Sequence, residues 1–244
     1  MTTWLILGAT SAIARAFALE AASHGVRILV AARDVAELEP IASDIRLRTL
    51  AAVDVLRFDA GRAEDRAALV AYAKAAPAPI SVFVGFGSMP TEEAMRKDSA
   101  LFADMVANNF TAAGQVLNEL TPLLEAQKAG AVVVVGSVAG DRGRKSNYQY
   151  GAAKAAVAAF VGGLAARLSS FNVPVLLVKP GPIDTAMTWG LKGPPLPMGA
   201  PGGLAKAIWR KVPKGGVIYY PLIWWPIMRL IQHLPRKVFN KLNF

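Results

Sequence analysis

Short runs made almost wholly of apolar residues recur along this chain, separated by alanine-rich stretches of helical length, and that alternation constrains the fold more than any other feature. The runs are Trp4–Leu7, Val26–Ala31, Ala51–Phe58, Ile80–Gly85, Ala131–Gly136, Val173–Lys179 and Val217–Tyr220. Segments such as AVVVVG and VPVLLV show no polar alternation, as expected of strands covered by helices on both sides. The pattern predicts an α/β chain of βαβ units: a doubly wound parallel sheet of about seven strands with helices on both faces. A length of 244 residues suits one domain over 1–244, interrupted late by a proline- and glycine-rich stretch near 186–203 that reads as a loop or lid over a site.

Composition removes several chemistries. The chain has no cysteine and two histidines, so disulfides, thiolate metal sites and a thiol nucleophile are excluded and no metal centre is expected. Reactivity falls to hydroxyls, amines, carboxylates or a bound cofactor. The net charge of +10 is lopsided: residues 1–184 carry eighteen Lys and Arg against seventeen Asp and Glu, and nine basic residues with no acidic one follow Asp184. That basic tail is also rich in Trp and Tyr, which suits a lipid headgroup region better than a nucleic-acid groove, so a nucleic-acid partner is not expected. The opening MTTWLILGAT lacks a basic leader and reads as a strand, and Val217–Met228 is too short to span a bilayer, which together predict a cytoplasmic protein.

In such a sheet ligands bind beyond the strand carboxyl ends, which directs attention to the residues just after each strand. After the first come Gly8, Thr10, Ser11, Ala12 and Ile13, a small-residue turn opening a helix whose free N–H groups suit a pyrophosphate; an ordinary turn capped by Ser11 would have the same sequence. The second strand ends at Arg33, where a guanidinium pairs with a 2′-phosphate and favours NADP(H) over NAD(H); Asp34 beside it and a merely solvated arginine are the competing readings. Asp59 follows the third strand, facing an adenine amino group or capping the helix that begins near Arg62. Ser137 ends a buried strand, Tyr150 lies thirteen residues on, and Lys154 is one helical turn after Tyr150 and on its face, whereas Tyr148 has Ala152 at that spacing. A fixed ammonium beside the phenol is expected to lower its pKa from about 10 toward neutrality and make it a usable acid.

These pieces resemble the short-chain dehydrogenase/reductase family from residue 3 to about residue 190: GATSAIA, Asp59, Asn109 in NNFTAAG, Ser137 in VVVGSVAG, Tyr150 and Lys154 in YGAAK, and PGPIDT from Pro180 to Thr185. The resemblance implies a Rossmann-type fold and reversible reduction of a ketone to a secondary alcohol with a nicotinamide cofactor. It assigns substrate orientation to Ser137, proton exchange to Tyr150, the nicotinamide ribose to Lys154 and a relay water to Asn109. It adds Gly85, Pro180, Gly181, Ile183 and Thr185 to the cofactor contacts, and a homodimer or homotetramer through helices around 100–125 and 147–170. The chain departs from the pattern at Ala12 and Ala14, where glycines are usual, and at Gly85-Phe86-Gly87-Ser88.

More loosely, the opening turn and the tail PLIWWPIMRLIQHLPRKVFNKLNF are similar to family members that reduce polyprenyl-phosphate-linked keto-pentoses, the decaprenylphosphoryl-2-keto-ribose reductase-like members. That implies a lipid-linked carbonyl substrate and peripheral contact with the inner membrane face. Trp224, Trp225, Ile227, Met228, Leu230, Ile231 and Leu234 would form the apolar side, with Arg229, Arg236, Lys237 and Lys241 at the headgroups; packing on the protein itself or on a second subunit is the competing reading. A catalytically silent dinucleotide-binding or scaffold protein is the alternative function, and four intact residues at 109, 137, 150 and 154 argue against it.

Overall fold

The computed structural model of the protein describes residues 2–188 and 198–241. One sheet contains β1 (Thr3–Leu7), β2 (Arg27–Ala32), β3 (Val53–Arg57), β4 (Ile80–Val84), β5 (Val132–Val135), β6 (Val175–Pro180) and β7 (Gly216–Tyr220). The strand order is β3-β2-β1-β4-β5-β6-β7 and every neighbouring pair is parallel. This is the Rossmann-like α/β sheet expected from the apolar runs, with strand ends moved by no more than two residues. The winding reverses between β1 and β4, which opens a crevice at their carboxyl ends.

The connecting helices are α1 (Ala12–Ala22), α2 (Val35–Thr49), α3 (Ala63–Ala75), α4 (Glu92–Lys97), α5 (Ser99–Val106), α6 (Ala112–Gln127), α7 (Tyr148–Ser169), α8 (Pro201–Lys211), α9 (Trp224–His233) and α10 (Arg236–Phe239). Successive residues of β1 point to opposite faces and all are buried. Trp4 and Ile6 join Phe17 of α1 and Leu204 and Ile208 of α8, while Leu5 and Leu7 join Leu117 of α6 and Val157 of α7. Phe17 stacks on Phe83 with ring centres 4.5 Å apart. Among the described residues α7 alone has the length and apolar composition of a membrane span. Its buried side, from Tyr150 and Lys154 to Leu168, packs on the domain, which accounts for that composition.

The stretch expected as a loop near 186–203 is partly helical, because α8 starts at Pro201 and takes in Gly202 and Gly203. Proline suits a first helical position, and a Cβ on Gly203 would stand 2.1 Å from the Tyr220 hydroxyl. That glycine is packing space for β7. The remainder of the expected lid, 189–197, lies outside the described residues.

The competing readings of the C-terminal segment are resolved for one of its faces. Trp224, Met228, Ile231 and Phe239 are buried with Val138 in a small core against the domain, so three residues expected to face lipid face protein. Arg142 holds the segment in place: its Nη1 donates to the carbonyls of Ile231 and of Leu234 (2.7 Å), and its guanidinium lies 4.0 Å from the Phe239 ring centre. Below it, the buried Asp141 carboxylate pairs with Lys179 and accepts from the Tyr219 hydroxyl at 2.9 Å. Replacing Arg142 by Ala leaves helix carbonyls without their donor and is expected to cost about 1–3 kcal/mol. Hydrogen exchange should locate the loss in residues 224–239, with protection of β1 and β4 unchanged.

Candidate active site

A cavity of about 520 Å³ opens where β1, β4, β5 and β6 end. On the β1 side, Thr10, Ser11, Ala12 and Ile13 line it. Ser11 caps α1 by accepting from the Ala14 N–H at 3.2 Å, and its hydroxyl donates to the Gly85 carbonyl at 3.1 Å, tying the first turn to the end of β4. Gly8 has φ +78° and a Cβ there would lie 2.7 Å from the Cβ of Phe86, so Phe86 occupies the space above the first turn. Ala14, in place of a glycine, is fully buried and fits because Gly85 has no side chain: a Cβ on Gly85 would sit 3.1 Å from that of Ala14. The two departures from the usual motif are thus complementary. Free N–H groups at the α1 N-terminus beside a backbone cradle fit a pyrophosphate.

Arg33 and Asp59 stand outside this cavity, at the ends of β2 and β3. The Asp34 carboxylate caps α2, accepting from the Ala36 N–H at 2.8 Å, while Arg33 is exposed and has no ion-pair partner among the described residues. Asp59 accepts from the Gly61 N–H at 2.9 Å with one oxygen, closing a turn instead of capping α3, whose N-cap position is held by Arg62.

Asn109 lies in a π-helical turn, Ala107–Thr111, between α5 and α6. Its amide donates to the carbonyls of Ser88 (2.8 Å) and Met105 (2.9 Å) and accepts weakly from the Ser88 N–H (3.3 Å). The side chain therefore fastens the β4 turn to the helix. Gly87 must be glycine, because a Cβ would approach Asn109 Oδ1 to 2.4 Å.

Ser137 begins a short 3₁₀ turn after β5 and its Oγ accepts from the Ala139 N–H at 3.1 Å. Close backbone contact seats this turn on α7, since a Cβ on Gly140 would come within 2.6 Å of the Lys154 backbone. Tyr150 and Lys154 are buried on one side of α7 and both line the cavity, with Lys154 Nζ 5.8 Å from the Tyr150 ring centre, whereas Tyr148 is exposed. The convergence expected from the spacing is present. The electrostatics differ from expectation: burial pushes the Tyr150 phenol up to about 12, and a hydrogen bond with Ser137 and the charge of Arg144 only partly oppose it. Lys154 is itself pulled down to about 8 by burial, and its ammonium donates to the Val135 carbonyl at 3.1 Å. Burial is the largest influence on both groups, and the cation that acts on the phenol is Arg144 rather than Lys154.

Pro180, Gly181, Ile183 and Thr185 line the β6 side. A Cβ on Gly181 would stand 2.2 Å from the indole nitrogen of Trp224, so α9 supplies a wall of the cavity. Sequence reasoning missed Trp224, Met89, Met187, Arg144 and Asn147 as lining residues. Arg144 was concealed in the basic run Arg142, Arg144, Lys145, which reads as a solvated loop. Its Nε and the Asn147 Oδ1 are buried without a hydrogen-bond partner among the described residues, a situation costing about 1–3 kcal/mol per group.

The sequence model of the short chain dehydrogenase family matches residues 2–193. This chain belongs to that family. A short-chain dehydrogenase is an NAD(P)-dependent oxidoreductase acting on CH–OH groups. The chain is 31% identical over 240 residues to an uncharacterized oxidoreductase of Mycobacterium tuberculosis, covering 98% of this chain and 96% of that protein. It is 31% identical over 245 residues to an uncharacterized oxidoreductase of Streptomyces coelicolor, covering 98% and 94%. In fold it is similar to a short-chain dehydrogenase from Sphingobium yanoikuyae in complex with NADPH, with a TM-score of 0.83, 24% identity and 97% of each chain covered.

The Lys154 shift makes stability depend on pH with a definite sign. Its folded pKa of about 8 lies below the ordinary 10.5, so between those values the unfolded chain holds a proton that the folded one lacks, and stability rises with pH. Below pH 8 both states are charged and burial of the ammonium is a standing cost. Lys154→Met should therefore be more stable than the parent at pH 7, by on the order of a few kcal/mol. Urea midpoints should show that margin shrinking from pH 8 to 10; a margin constant with pH would contradict it.

Proposed function

We propose that this short-chain dehydrogenase reduces a ketone to a secondary alcohol with NADPH, with Tyr150 as the general acid. The observation that carries the reading is the convergence of Ser137, Tyr150, Lys154 and Asn109 on the cavity that also receives the Thr10–Ile13 turn. When bound, the dinucleotide supplies the hydride to the carbonyl carbon. Ser137, oriented by the Ala139 N–H, donates to the carbonyl oxygen and aligns it with the phenol. Tyr150 is protonated throughout the physiological range and transfers its proton to that oxygen as negative charge develops there. The Lys154 ammonium, 5.8 Å from the ring, steadies the phenolate left behind. Asn109 keeps the β4 turn in register with α5 and α6.

NADP(H) is the preferred cofactor in this reading because Arg33 has no anionic partner among the described residues and Asp34, the residue that would hold a ribose hydroxyl, is engaged in capping α2. The NADPH in the Sphingobium neighbour supports it. Tyr150→Phe should bind NADPH with unaltered affinity in a fluorescence titration and turn over at least ~100-fold more slowly on whichever ketone the parent accepts. Equal rates would mean that the acid is a different group. Arg33→Ser should lower the NADPH-to-NADH ratio of kcat/KM by about tenfold or more, the loss of one charge-assisted phosphate contact.

The substrate class within this reading is a ketone on a phosphate-bearing, lipid-linked head, presented at a membrane surface. Support comes from α9, whose inner residue Trp224 walls the cavity while Leu222, Ile223, Trp225 and Leu230 are exposed beside it. Arg229 lies 5.9 Å from the Trp225 ring, and Arg236, Lys237 and Lys241 are also exposed. An apolar strip edged by cations suits an anionic interface, each cation adding about 1 kcal/mol near the surface. The double substitution Trp225→Glu and Leu230→Glu spares the buried face and should abolish flotation with phosphatidylglycerol vesicles; flotation equal to the parent would remove the membrane from the reading.

A further inference from the structure

We propose that Arg144, with Asn147 beside it, forms a subsite for an anionic group, phosphate or carboxylate, carried by the ketone substrate. The word substrate rests on the reductase reading above; the subsite rests on the cavity itself. Of the basic run after the Ser137 turn, each member has a different environment. Arg142 is engaged by the C-terminal carbonyls, Lys145 is exposed, and only Arg144 lines the cavity. Two of the four partnerless buried atoms among the described residues, Arg144 Nε and Asn147 Oδ1, belong to residues on this wall. A half-turn of the Asn147 amide exchanges its oxygen for two donors, so both residues are able to donate to one anion.

Among the described residues no carboxylate pairs with Arg144. Asp141, which bears on its charge, is held by Lys179 and by the Tyr219 hydroxyl. Glu92, the acid near the start of α7, is absent from the cavity wall and accepts from the Gln149 N–H. Met89, Val138, Met187 and Trp224 also line the cavity, and apolar lining of this kind strengthens an ion pair formed within it. The planar fork of a guanidinium matches two oxygens of a phosphate or carboxylate, which a lysine cannot reproduce. Arg144 lies in the loop joining Ser137 to Tyr150 and lines the same cavity as Tyr150, so one molecule can place an anionic group at the arginine and a carbonyl at the phenol.

The test uses matched ketones with NADPH: D-ribulose, its 5-phosphate and an octyl phosphodiester of it, and ethyl acetoacetate against acetoacetate. The parent should favour the anionic member of at least one set by tenfold or more in kcat/KM, through KM, which is 1.4 kcal/mol. In Arg144→Gln that ratio should fall toward one, and Arg144→Lys should retain part of it. The phosphate and carboxylate sets identify the anion, and the phosphodiester arm separates a lipid-borne phosphate from a free one. A ratio unchanged in Arg144→Gln, or no preference in the parent, would overturn the subsite, because a purely structural arginine affects both members alike. Calorimetry of D-ribulose 5-phosphate and of acetoacetate with NADP⁺-saturated protein keeps the two readings distinguishable. Arg144-dependent uptake without turnover of any ketone would count against the reductase and for the subsite; uptake that ignores Arg144 would count against the subsite alone.

Discussion

A parallel sheet buried on both faces leaves no room for polar chemistry along its strands, and the rest of this molecule follows from that constraint. Trp4 through Leu7 alternate between two cores and none meets solvent. Functional groups are displaced to the carboxyl ends, where turns rather than strands carry them. The turns must then lie close together, and several glycines mark where backbone meets backbone or ring: Gly8 under Phe86, Gly140 against Lys154, Gly181 against Trp224. Ser11 joins the first turn to the fourth strand, and Asn109 joins that strand's turn to a π-helical segment.

The same dryness that protects the core governs the electrostatics of the site. Tyr150 and Lys154 face one cavity, yet burial moves each toward its neutral form, the phenol up and the ammonium down. For a reductase this is the useful state of the tyrosine, since an acid must hold its proton until charge appears on the substrate oxygen. Ser137 and Arg144 are the groups that draw the phenol back. Arg144 thus combines two features, a cation acting on the Tyr150 hydroxyl and a buried Nε with no hydrogen-bond partner among the described residues.

The C-terminal segment shows how one helix serves two environments. Trp224, Met228 and Ile231 complete the domain, with Trp224 also lining the cavity, while Trp225 and Leu230 on the other side of α9 remain outside. Arg142 makes that division durable by binding the helix-end carbonyls, and Asp141 beneath it ties β6 and β7 to the same turn. The seven residues read from sequence as one apolar side are therefore divided, with Trp224, Met228 and Ile231 covered by the domain and Trp225 and Leu230 exposed.

What the sequence by itself determined is the part governed by local periodicity and short spacing. Apolar runs specified the strands to within two residues, and the interval from Tyr150 to Lys154 specified a common helix face because 3.6 residues complete a turn. Ser137, thirteen residues earlier, could be paired with them because a strand end and a helix start separated by one loop must meet. Tertiary structure alone decided that burial raises the phenol and that Arg144 rather than the lysine opposes it, that Asp34 caps a helix while Arg33 has no ion-pair partner among the described residues, and that Arg144 enters the cavity while Arg142 and Lys145 do not. Those outcomes depend on solvent exclusion and on which distant carbonyls or carboxylates arrive first, and neither quantity is written in the spacing of neighbouring residues.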